Sequence, residues 1–181
     1  MNAWIHTTYT HRPLQLEDLT PPEQFMVWAL RTQIKAVWSA KPWDHHEQLQ
    51  EALFGVLGIV HVETGLGNLE KLIHILKDHT RRVLHFHNTD CAPITMDEWR
   101  LLALIAAHQE KHYTYAAALT RWLVPSCAAI DFSNAAVSLA DVMKEKDMLF
   151  PVRVNFAEAT AGYSSETQSW SPSEESTPTL Q

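Results

Sequence analysis

Apolar residues recur at intervals of three and four along most of the chain, and that spacing predicts a bundle of about six helices. The first opens at Thr20-Pro21-Pro22-Glu23, with a hydroxyl at N-cap, proline at the first helical position and glutamate at N3, the pattern of a capping box. Val27, Leu30, Ile34 and Val37 form its stripe, flanked by Trp28 and Trp38. Lys41-Pro42 ends it, because a residue before proline resists the helical region. Asp44 caps a second helix to about Leu57, inward through Leu49, Ala52, Leu53 and Val56. Four of the five glycines fall between Gly55 and Gly67, which predicts a break near His61 to Gly65 and a third helix from Asn68 to about Thr80.

Arg82-Val-Leu-His-Phe-His87 alternates polar and apolar residues, as a half-buried strand does. Leu149 to Val154 reads as a second strand, with Pro151 confining it to an edge. The two are expected to pair through Val83–Phe86 and Val152. Between them, Thr95-Met-Asp-Glu98 repeats the capping-box signature and opens a helix from Trp99 to about Gln109, apolar enough to be buried on most sides. Further helices are expected from Tyr113 to Leu123 and, capped by Ser133, from Asn134 to about Lys146. The fold class is therefore mainly α: a single-domain helical bundle with a small two-stranded accessory β-sheet. An extended N-terminal segment (1–19), a helical domain (20–154) and a tail (155–181) make up the expected organisation.

Composition changes this picture in three places. Residues 155–181 hold six of the ten serines, four glutamates and no Lys or Arg, too little apolar surface to offset ordering entropy, so a disordered acidic tail is expected. The net charge of −7 shrinks for residues 20–154, which carry 13 bases against 15 acids; most of the acidity belongs to the ends. Arg81-Arg82 and the lysines upstream, Lys71 and Lys77, are interleaved with Glu70 and Asp78, which reads as a solvated face rather than a nucleic-acid track. The longest apolar run, Leu101 to Ala107, is far short of the roughly 20 residues a membrane span needs. Two cysteines, Cys91 and Cys127, do not make a disulfide scaffold; the N-terminus has no signal-peptide pattern, and the expectation is a reduced, cytoplasmic protein.

Candidate chemistry is thin. His85-x-His87-x-x-x-Cys91 places three possible metal ligands in seven residues, and alternate strand residues share a face. His108 and His112 stand at i and i+4, so five side chains are candidates for a zinc site, though the metalloprotease His-Glu-x-x-His order is absent. His45-His46-Glu47 is a weaker echo of the same idea. Cys127 reads as core filler. No Gly-x-Ser-x-Gly elbow or phosphate loop is present. Seven tryptophans suggest interface anchors, with Trp38 and Trp43 at the corner between the first two helices as the candidates. The reading is of a non-enzymatic helical protein acting through protein–protein contact as a homodimer, without a cofactor, its tail a solubilising or regulatory arm. The alternative is a metal-binding protein or metal-dependent enzyme built on His85, His87 and Cys91.

Overall fold

Glu23 reaches back to Thr20 at the start of the first helix, the glutamate half of the predicted capping box: the Thr20 backbone N–H and hydroxyl both donate to Glu23 Oε2, at 2.7 and 2.8 Å. The structure is a computed structural model that describes residues 14–38, 42–80 and 82–152. Six α-helices occur among these residues: α1 (Pro21–Trp38), α2 (Pro42–Leu57), α3 (Val62–His79), α4 (Met96–Gln109), α5 (Tyr113–Leu123) and α6 (Ser126–Glu145). A 3₁₀ turn at Leu16–Asp18 precedes them. None of the helices is long and apolar enough to cross a membrane.

α4 is the central rod. Leu101 to Ala107 are buried without interruption, and α1, α5 and α6 pack around the helix. α3 lies along α6, and α2 fills the angle between α1 and α3. Leu49, Leu53 and Leu57 of α2 are fully buried, each contributing roughly 1.5–3 kcal/mol.

α2 stops where Gly58 adopts a φ of +72°, the left-handed position that favours glycine after a helix. The expected glycine-rich break is shorter than its composition implies. α3 begins at Val62 and runs through Gly65 and Gly67, six residues earlier than Asn68. Gly65 is needed for approach rather than for a turn, because a Cβ there would collide with Cδ1 of the buried Leu57. α6 also starts early, at Ser126 after Pro125. Ser133 is therefore inside the helix, and its hydroxyl meets the Thr120 hydroxyl of α5 at 3.3 Å instead of capping anything.

The expected two-stranded sheet is not found among the described residues, where a lone antiparallel bridge joins Gln15 to Pro93. The described residues of both candidate strands lie outside any helix, and each segment is held by side chains of α4. His85 N–H donates to Asp97 Oδ2 at 2.9 Å and His87 N–H to Glu98 Oε1 at 3.1 Å. At the other end of α4, Gln109 accepts from Phe150 N–H at 2.9 Å and donates to the Met148 carbonyl at 2.9 Å. Asp97 and Gln109 are twelve positions apart, on the order of 18 Å along a helix, so the two segments are anchored at opposite ends of α4. Residues 153 and 154 of the second strand, and the acidic tail, lie outside the described residues, as does most of the extended N-terminal segment.

Candidate interaction surface

Arg31 organises the loop before α4. It occupies the inner face of α1, and its side chain and that of Glu98 are both fully buried. Arg31 Nε and Nη2 donate to the two Glu98 oxygens at 2.7 and 3.0 Å. The remaining donors reach the carbonyls of Asn88 (3.1 Å), Cys91 (2.6 Å) and Pro93 (2.7 Å). Glu98 also closes the capping box with Thr95, whose hydroxyl accepts from Glu98 N–H at 3.1 Å while Thr95 N–H donates to Glu98 Oε2 at 2.8 Å. A buried charge pair of this kind is tolerable only when its remaining donors and lone pairs are met, and here both groups are hydrogen-bonded on every side that faces the loop.

Asp97 fixes the segment before that loop. Its carboxylate takes a bidentate contact from Arg82, a bond from Arg100 Nη1 at 2.9 Å and the His85 amide. Burial alone would raise its pKa. The Arg82 hydrogen bonds and charge, the His85 amide and Arg100 outweigh that and hold the carboxyl below its ordinary value. The same two guanidinium groups lie over the Trp122 ring, at 5.4 Å for Arg82 and 4.6 Å for Arg100. Arg82 is thus engaged with Asp97 and Trp122; Arg81 lies outside the described residues.

With its backbone pinned in this way, residues 82–86 form one wall of an open groove of about 630 Å³. Ile34 and Trp38 of α1 and Ile73 and Leu76 of α3 form the opposite side, with Leu84 and Phe86 contributed by the pinned segment. Alternation along that segment turns Leu84 and Phe86 partly inward, while Val83 is left 77% exposed at the rim. Trp38 is 57% exposed, with Lys77 Nζ 5.8 Å from its ring centroid. Across the α1–α3 seam lies a second cleft of about 300 Å³, where Trp43, 79% exposed, stands near a His46–Glu70 contact of 2.9 Å.

The five candidate metal ligands are dispersed. His85 and His87 are exposed at the N-terminal end of α4, and Cys91 is half-buried in the loop whose carbonyl Arg31 holds. His108 is near the opposite end of α4. His112 lies beyond that helix, at the N-cap of α5, so the i, i+4 relation is lost. Among the described residues, no group of three or more His, Cys, Asp or Glu side chains is arranged to hold a metal ion. His108 is instead buried at both ring nitrogens, with no hydrogen-bond partner for either among the described residues. Burial pushes its pKa below the ordinary 6.5, partly offset by the negative charge of Asp141. Cys127, expected in the core, is exposed in the first turn of α6.

Sequence reasoning missed Arg31. One signal was present: Arg31 falls four residues after Val27 and three before Ile34, a charge set within the apolar stripe of α1. Compared with described protein families, with curated proteins and with solved structures, the chain shows no match.

Proposed function

We propose that this protein works by protein–protein contact, first of all with a second copy of itself, and not by catalysis. The observation that carries the reading is the groove between α1, α3 and residues 82–86, which leaves Trp38 in solvent on the helical side and Val83 in solvent on the opposite wall, the one clamped by side chains. A two-fold interface brings the same patch of both copies together, so it needs a surface complementary to itself. This surface carries both halves of such a contact, an apolar groove and, at its rim, the protruding Val83. The exposed Trp43 extends the aromatic surface around the α1–α2 corner. Aromatic side chains of this kind are the residues that most often anchor interfaces.

Sedimentation equilibrium on the full chain, from low to high micromolar concentration, tests the reading. The wild type is expected to self-associate. Val83→Glu, which places a charge against its own copy across the two-fold axis, should weaken association by tenfold or more, and Trp38→Ala by a similar factor, the loss of one central anchor being worth about 2 kcal/mol. Ile130→Glu, at a 75% exposed position on α6 away from the groove, is the control and should leave association unchanged. A wild type that stays monomeric throughout the range would refute self-contact.

A further inference from the structure

The cleft on the other side of the α1–α3 seam has a different chemistry from the groove. Its apolar lining comes from Ala36 and Val37, and the 79% exposed indole of Trp43 borders it. Its polar groups are acceptors in excess. One Glu70 oxygen meets His46 Nδ1 at 2.9 Å, and the second has no donor among the described residues. Gln33, only 3% exposed, also lines the cleft, and its side-chain oxygen is buried with no hydrogen-bond partner among the described residues. Among the described residues that line the space, His46 and His74 are the basic groups and none is Lys or Arg.

A buried acceptor without a donor, a carboxylate with an open oxygen and an exposed indole face share one preference: a cation that carries N–H groups. Ammonium groups are drawn to the face of tryptophan, and charged N–H donors make the stronger hydrogen bonds to carboxylates. A metal ion fits less well, because the ligand-capable side chains here are not arranged around one point. The apolar lining suits a methylene stem, and about 300 Å³ admits a short alkyl chain rather than a folded segment. We propose that this cleft binds a primary alkylammonium group, held by Glu70 and Gln33 against the face of Trp43. The group belongs either to a small free amine or to a lysine side chain of a partner protein. This site is separate from the self-contact groove.

n-Butylammonium is the probe, n-butanol its neutral match, and calorimetry together with the Trp43 indole N–H resonance the readouts. Using the Val83→Glu protein keeps the result independent of self-association, so that failure of one proposal does not read as failure of the other. Butylammonium should bind and butanol should not. Trp43→Leu should weaken binding by about three- to fivefold and Glu70→Gln by tenfold or more; both side chains are partly exposed, so the variants are expected to fold. Nα-acetyl-lysine methylamide binding more tightly than cadaverine would identify a partner's lysine, and the reverse order a free diamine; either supports an ammonium site. Equal response to butanol, binding untouched by both substitutions, or no binding of any amine would overturn the proposal.

Discussion

At the scale of single residues, Arg31 carries more structure than any other polar side chain among the described residues. Five donor contacts, two of them to a carboxylate that is equally buried, leave no spare capacity for solvent or ligand. Replacing it with methionine keeps much of the volume but strands Glu98 and three loop carbonyls. Arg31→Met should therefore cost about 3–5 kcal/mol in chemical denaturation, the usual penalty for breaking a buried pair from one side. The role was hard to read from sequence because a capping box explains Glu98 completely as a local feature; its partner is 67 positions away. His108 supplies a second residue-scale prediction. Its folded-state pKa is depressed, so below 6.5 the unfolded chain takes up a proton that the folded chain resists. Stability should hold above that pH and decline as pH falls through it. Urea denaturation at a series of pH values should show the decline in the wild type and a shallower one in His108→Leu, which removes the buried nitrogens. An unchanged slope would mean another group titrates there.

At the scale of elements, six helices were legible because burial on one face imposes a period that composition cannot disguise. Three helix starts were not, and α2 is the first: it begins at Pro42, with Asp44 in its first turn rather than at its cap. Before α6, Ser133 reads as the cap, yet the helix starts seven residues earlier at Ser126, with Pro125 at its N-cap. Before α3, the glycines looked like a break, although one of them exists for contact. Gly65→Ala must displace the buried Leu57 and should destabilise by about 1–3 kcal/mol despite alanine's better helix propensity. Gly67→Ala, two residues on and facing open space, should instead stabilise by about 0.5–1 kcal/mol. Thermal or urea melts of the two variants separate close approach from turn-making, since a turn at this place would make both substitutions harmful. The missing sheet has the same origin. Alternation signals an extended segment with one buried face, but it does not say what satisfies the backbone. In this protein carboxylates and an amide of α4 do so, at opposite ends of the helix.

At the scale of the molecule, the groove could not be read from sequence, because its walls come from three segments that only the fold brings together. Trp38 was legible as a candidate anchor by its position at the end of α1; the surface it belongs to was not. The scattered histidines show the converse. They cluster in sequence around residues 85–91 and 108–112, and α4 holds the clusters apart. The central claim is that the wall at residues 82–86, held rigid by Asp97 and Glu98, meets a second copy of the chain. Amide hydrogen exchange, compared between dilute and concentrated samples of the same protein, addresses it most directly. Slower exchange on concentration, confined to residues 82–87 and the C-terminal halves of α1 and α3, is the predicted result. Identical exchange at both concentrations, or protection that appears on α5 and α6 instead, would contradict it.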